Sequence, residues 1–285
     1  MDIGQRPPWL ALIMGNSRWH WGAFEDNIHS STPGGDRCLG TWHTPHLTKD
    51  QVDQLKRGGF APEIWQQWGL DLGLTADLFY RHSVGSGCLD LWVASVVAAS
   101  VAWWADYPAL YRVETAQVPL KHTYASLGVD RALALVGAGE IWGWPVLVID
   151  CGTAMTFTAG VDGGLMGGAI LPGLRSQFRT LHTATDQLPA LDLDPNFWPQ
   201  RWATDTATAI TSGILHSQLA GIRDFIAAWQ ADWPTGLVVF TGGDSGFIIH
   251  HIKQQTPALT QRIKHDPDLG FWGLRVCRRQ YLERQ

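Results

Sequence analysis

The sequence predicts an α/β protein of two domains. Three observations predict it: a strand, polar turn and strand at residues 146–159 (VLVIDCGTAMTFTA), a second stretch of the same kind at residues 10–24 (LALIMGNSRWHWGAF), and a length of 285 residues with 45% apolar content, enough for two cores of ordinary size. The division is expected at the start of the second set of motifs, giving an N-terminal domain 1–117 and a C-terminal domain 118–285.

Taken in order, the opening residues hold Pro7 and Pro8, which break any helix, and lack a basic stretch followed by a clean apolar run, so no signal peptide is expected. Residues 10–14 are an apolar strand that enters Gly15-Asn16-Ser17 and leaves through alternating large and polar residues. Residues 27–50 are rich in Ser, Thr, Pro, Gly and His, the composition of an exposed connection. His43 and His46 stand there at H-x-x-H, but Pro45 disfavours a helix and no Cys or carboxylate cluster accompanies them; they read as two solvated loop histidines rather than a metal pair. Residues 49–68 read as helical segments, with Trp65 and Trp68 on one face as core. Residues 89–104 are the most apolar stretch, too short and interrupted for a membrane span, and read as a strand followed by a helix. Residues 113–119 read as a further extended piece. Residues 123–138 open a helix with Asp130 and Arg131 in its first turn, where exposed amides and the dipole favour anions. Residues 146–149 are a buried strand, residues 167–174 a glycine-rich turn, and residues 237–240 another buried strand running into Thr241-Gly242-Gly243-Asp244-Ser245. The tail closes with a helix from Leu269 and a basic surface from Arg275 to Arg284, read as solvated.

The chemistry gathers at the turns. A carboxylate at the end of a buried strand needs a partner, and a metal or a phosphate-bound cation is the usual one, which marks Asp150; a tight Asp-Gly hairpin with a self-capping Asp accounts for it equally well. Gly152 lets backbone approach an anion, and Thr153 adds a hydroxyl beside exposed amides. Gly15, Asn16 and Ser17 repeat the pattern, and two such turns are what a duplicated nucleotide-binding fold needs. The net charge of -5 is spread without a Lys/Arg run, so neither a nucleic acid nor a membrane surface is an expected partner. Four cysteines without C-x-x-C spacing fit reduced thiols in a cytoplasmic protein.

With these motifs in this order, the chain resembles the acetate and sugar kinase, Hsp70 and actin superfamily, and within it the type III pantothenate kinases. The resemblance runs from Leu10 to Leu274. It is carried by Gly128-Val129-Asp130-Arg131 for the family's Gly-x-Asp-Arg, by Asp150 to Thr153, by Pro172-Gly173, by Thr206 to Gly213, and by Gly242-Gly243 in the adenosine motif. It implies two RNase H-like (actin/Hsp70-type) domains with a nucleotide cleft between them, and ATP-dependent phosphorylation of pantothenate to 4'-phosphopantothenate, the first step of coenzyme A biosynthesis. On the same resemblance Asp130 is the general base, and Gly128, Val129, Asp130, Arg131 and Thr206 bind pantothenate. Gly15, Asn16, Ser17, Gly152, Thr153, Gly242 and Gly243 bind ATP, and Asp150 holds a monovalent cation, K+ or NH4+, while Mg2+ arrives with ATP. A homodimer is implied too. Two departures stand out: Ile13 replaces the family's first aspartate, and Lys121 replaces a tyrosine that binds substrate in many members, with Tyr124 nearby out of register; Asp2 to Gln5 is a decoy that mimics the phosphate motif without a strand before it. Ile13 is the feature that would favour a non-catalytic protein of the Bvg accessory factor type; a sugar kinase or exopolyphosphatase of the superfamily is the third reading.

Overall fold

The computed structural model describes residues 8–26, 36–70, 72 and 88–285. Asp2 to Gln5 and part of the expected connection, residues 27–35, lie outside the described residues. The chain divides into two compact units, one of residues 1–120, 124–141 and 270–285, the other of residues 121–123 and 142–269. The first unit thus takes in two helical segments that a division at residue 118 assigns to the second.

In the first unit, β1 (Trp9–Met14), β2 (Trp19–Asp26), β3 (Asp36–Thr44), β4 (Asp90–Ser95) and β5 (Leu110–Val113) form one sheet in the order β3-β2-β1-β4-β5. The hairpin strands pair antiparallel, and β4 and β5 run parallel to β1. Alternation along β1 sends Leu10, Leu12 and Met14 to one face, where they join Trp19, Trp21, Phe60, Trp65 and Trp104 in a buried aromatic core. The helices α1 (Lys49–Arg57) and α2 (Pro62–Gln67) belong to that side; α1 starts where Thr48 and Gln51 make a reciprocal capping box and buries Val52 and Leu55. The core indoles keep partners where the packing allows: Trp65 Nε1 donates to the Phe60 carbonyl at 3.0 Å and Trp21 Nε1 to Thr44 Oγ1 at 3.2 Å.

The opposite face of the sheet packs against α8 (Leu269–Glu283) and corrects one expectation. The basic tail is not simply a solvated surface. Arg278 is 3% exposed, its guanidinium lies 4.9 Å from the Trp9 ring and 3.6 Å from an Asp36 carboxylate oxygen, and burial lowers the pKa of Arg275. A helix that covers the stacked Trp9 and Phe24 rings needs inward bulk, and an arginine stem with a planar, cation-π-forming head supplies it. The helix α4 (Val129–Trp142) comes so close to α8 that a Cβ on Gly273 would sit 2.0 Å from the Leu133 carbonyl oxygen.

Two further expectations change. Strand β3 lies within the stretch read as loop, because its residues are mostly half or fully exposed and carry little apolar alternation. Beyond β5 the extended piece expected over 113–119 ends at Val113, and a 3-10 turn at Thr115–Gln117 follows. By contrast, residues 89–104 form the expected strand, β4, followed by α3 (Ala98–Val101) and a 3-10 turn at Ala102–Trp104.

The second unit repeats the topology. Strands β6 (Val146–Cys151), β7 (Ala154–Val161), β8 (Gly164–Pro172), β9 (Leu237–Thr241) and β10 (Ile263–His265) stand in the order β8-β7-β6-β9-β10, with β6, β7 and β8 antiparallel and β9 and β10 parallel. Its core joins Ile149, Phe157 and Phe240 to Phe178 of α5 (Leu174–Thr183), Ile222 and Ile226 of α6 (Thr206–Asp232), and Ile248 and Ile252 of α7 (Ser245–Gln255). The glycine-rich run at 167–172 is strand rather than turn; the reversal comes earlier, at Asp162 and Gly163, whose φ values of 50° and 73° suit a tight hairpin.

Candidate active site

In the first unit the turn after β1 is closed by Gly15 N donating to the Arg18 carbonyl at 3.0 Å, and a Cβ on Gly15 would lie 3.2 Å from that oxygen. Asn16 and Ser17 are exposed at the tip, and the exposed His46 places Nε2 3.0 Å from the Gly15 carbonyl oxygen, so a histidine in solvent also braces the turn. Ile13 is half-buried, and its Cδ1 lies 2.8 Å from where a Cβ on Gly270, in the first turn of α8, would be. The place that the resemblance gives to an aspartate is here an aliphatic contact. Beside it, His20 keeps solvent access, but the protein around it, and then His43 and Arg18, lower its pKa to about 4, so the ring is neutral near pH 7.

The same unit holds the Gly-x-Asp-Arg motif. Asp130 Oδ1 accepts from Arg131 N at 2.8 Å in the first turn of α4, and a Cβ on residue 128 would fall 2.4 Å from that oxygen, so only glycine leaves the carboxylate in place. Thr115 Oγ1 donates to the Leu127 carbonyl at 2.8 Å and fixes the approach to the helix. Arg131 is 8% exposed and donates from Nη1 to Tyr124 Oη at 2.9 Å. Tyr124 is a residue that sequence reasoning set aside as out of register; its spacing of seven from Arg131 carries no pattern that would have singled it out.

In the second unit the β6 strand delivers Asp150 half-buried at its end, as expected, with Cys151 buried behind it. The carboxylate occupies glycine-shaped space. A Cβ on Gly242 would lie 2.3 Å from Asp150 Oδ1 and 2.7 Å from the Cys151 backbone, Gly242 has φ +87°, and a Cβ on Gly152 would be 3.2 Å from the same carboxylate oxygen. At Gly243 a Cβ would meet nothing within 4 Å. Burial, then the Asp150 and Asp244 carboxylates, push the Cys151 thiol well above its ordinary pKa, so it is inert despite its place in the motif.

Backbone must come close at Pro172-Gly173, and the structure shows to what. Gly173 N donates to the Thr153 carbonyl at 3.0 Å, Ser176 Oγ donates to the same oxygen at 2.7 Å, and a Cβ on Gly173 would be 2.0 Å from the Gly152 carbonyl oxygen. The start of α5 therefore straps the Gly152-Thr153 turn. Asp244 N donates to the Cys151 carbonyl at 3.0 Å, and Arg175 bridges Asp244 at 3.3 Å and Asp192 at 2.7 Å. Neither Arg175 nor Ser176 carries a local signal, since both act on residues far away in sequence. Thr206 is exposed as the first residue of α6, but the N-cap is Asp205, whose carboxylate accepts from Thr208 N at 2.9 Å and whose pKa that bond lowers.

Among the described residues no group of three or more His, Cys, Asp and Glu could hold a metal ion, and no helix is long and apolar enough to cross a membrane. A single carboxylate set among glycine backbone fits a weakly held cation completed by water and phosphate oxygens better than an all-protein cage.

Residues 9–228 match the sequence profile of the type III pantothenate kinase family. A type III pantothenate kinase of a Nostoc species is 39% identical over 271 residues, covering 94% of this chain and 93% of its own, and one of a Synechococcus species is 46% identical over 272 residues, covering 95% and 88%. Among solved structures, a Baf family transcriptional activator from Campylobacter jejuni superposes with a TM-score of 0.58 at 15% identity over 96% of this chain and 99% of its own. A 2-dehydro-3-deoxygalactonokinase protein from Sinorhizobium meliloti gives 0.53 at 11% identity over 95% and 96%. At such identities these two likenesses speak for the fold alone.

Proposed function

The chain belongs to the type III pantothenate kinase family, enzymes that phosphorylate pantothenate with ATP in coenzyme A biosynthesis, and on that premise we propose how its own residues do so. Asp130 is the general base. It accepts the proton of the pantothenate primary hydroxyl as that oxygen bonds to the γ-phosphorus and the bond to the ADP oxygen breaks. The observation that carries this reading is the Asp130 carboxylate held in the first turn of α4 over a residue that must be glycine.

Gly128 and Val129 shape the acceptor site, and Arg131, oriented by Tyr124, grips the acceptor through its planar fork. In the first unit the amides of Gly15, Asn16 and Ser17 bind ATP; in the second, Gly152 and Thr153 offer donors to phosphate, and Gly242 and Gly243 leave room for adenosine. The strap from Gly173 and Ser176 keeps the Thr153 carbonyl engaged and the turn rigid. Asp150 would hold K+ or NH4+, whose charge offsets that of the phosphates, and Mg2+ comes with ATP. Thr206 contacts pantothenate in a pocket shared across a homodimer, and the protein works in the cytoplasm. Sedimentation at micromolar concentration tests the dimer.

Ile13 is the one observation that favours a second reading, a non-catalytic protein on the same fold. Purified protein incubated with ATP, Mg2+, K+ and a panel of pantothenate and sugars separates the readings by ADP release. Release with pantothenate alone supports the kinase assignment, release with a sugar supports another phosphotransferase, and no release supports the accessory protein.

A further inference from the structure

The two sheets differ in chemistry along one row. In the second, the residues paired side by side across β9, β6, β7 and β8 are Thr241, Asp150, Thr156 and Ile170. In the first, the matching row across β4, β1, β2 and β3 is Ala94, Ile13, His20 and His43. The carboxylate is absent there, and two imidazoles fill the next two places.

His20 and His43 are direct partners on antiparallel strands, with ring centroids 5.6 Å apart and planes at 63°. The ladder fixes the Cβ atoms of such partners at about 4.5–5.5 Å, so the pair stays together without help from either side chain. Two imidazoles sharing one tetrahedral ion at metal–nitrogen distances of about 2.0–2.1 Å place their ring centres roughly 5 Å apart. The observed 5.6 Å between ring centres is close to that separation. Both residues are exposed, and among the described residues neither ring is engaged in a hydrogen bond or an ion pair. His46, the H-x-x-H neighbour of His43, is committed to the Gly15 carbonyl instead.

We propose that His20 and His43 form a two-imidazole site for a borderline divalent transition-metal ion such as Cu2+ or Zn2+, its other positions taken by water or another oxygen ligand. Nitrogen donors select such ions over K+ and Mg2+, which take oxygen. Two protein ligands, with the Arg18 cation acting on His20, make the site one of modest affinity and ready exchange. Nothing in it depends on the kinase assignment.

The test uses the full-length protein freed of metal, titrated with Cu2+ and followed by electron paramagnetic resonance, then with Zn2+ by calorimetry. One saturable equivalent of Cu2+ is expected, with splitting from two imidazole nitrogens, and Zn2+ should compete for it. His20→Asn and His43→Asn should each weaken that equivalent by about tenfold or more and lose one coupled nitrogen, whereas His182→Asn should leave it unchanged. The proposal is overturned if wild type shows no saturable equivalent, if its spectrum lacks two coupled nitrogens, or if the equivalent survives both substitutions in folded protein.

Discussion

Gly242 and Gly243 are neighbours in one motif, yet alanine should act on them in opposite ways. At residue 242 the backbone stands at φ +87°, which costs an L-residue about 1–2 kcal/mol. The new methyl would also lie 2.3 Å from Asp150 Oδ1 and 2.7 Å from the Cys151 backbone. The backbone of a buried strand cannot yield, so the carboxylate must leave its place, and overpacking of this kind adds about 1–3 kcal/mol. The expected loss is about 2–5 kcal/mol for Gly242→Ala, a fall in Tm on the order of 10 °C, with loss of whatever cation Asp150 holds. At residue 243 a methyl meets nothing within 4 Å, and stability should change by less than about 0.5 kcal/mol. Urea and thermal unfolding of the two variants, with calorimetric titration of a nonhydrolysable ATP analogue, make the comparison. Equal stability of the two, or a neutral Gly242→Ala, would refute the assignment of that space to the Asp150 carboxylate.

Three further outcomes are expected. Asp130→Asn should keep the fold by circular dichroism and lower kcat by about 10²–10⁴, since the amide keeps the shape and cannot take the proton; near-normal turnover removes Asp130 as the base. Ile13→Asp should fold, because the shorter side chain faces the first turn of α8, where amides favour a carboxylate, and it should reduce the K+ concentration needed for half-maximal rate; Asp150→Ala should abolish K+ activation, and unchanged activation in either variant counts against the cation assignment. Thiol reagents should modify exposed Cys88 first and leave Cys151 and Cys277 untouched in the native protein, since burial pushes Cys277 up to about 12 and Cys151 well above its usual value; early labelling of either buried thiol would contradict the packing described.

What the sequence made legible was local and periodic. The runs at 10–14 and 146–149 are buried strands because aliphatic residues continue to a glycine stop, and the helix at Val129 starts where free amides meet Asp130. What it hid was long-range. Strand β3 exists because β2 offers it a ladder, and its half-exposed residues leave no alternation to read. Arg278 is buried because Trp9 and Asp36 stand far upstream, so a run of arginines looked like surface. Gly173 looked like a turn glycine, whereas the structure shows it pressed on the Gly152 carbonyl. In the candidate site the same division holds: the motif residues could be named, but Tyr124, Arg175 and Ser176 act through partners that only the fold brings near.

Whether the chain is an active pantothenate kinase despite Ile13 is decided by pantothenate-dependent ADP release from the purified wild-type protein at saturating ATP and Mg2+ across a series of K+ concentrations. Turnover should need pantothenate and rise with K+ to an unusually high half-saturation point; no pantothenate-dependent release at any K+ concentration would show the protein to be non-catalytic.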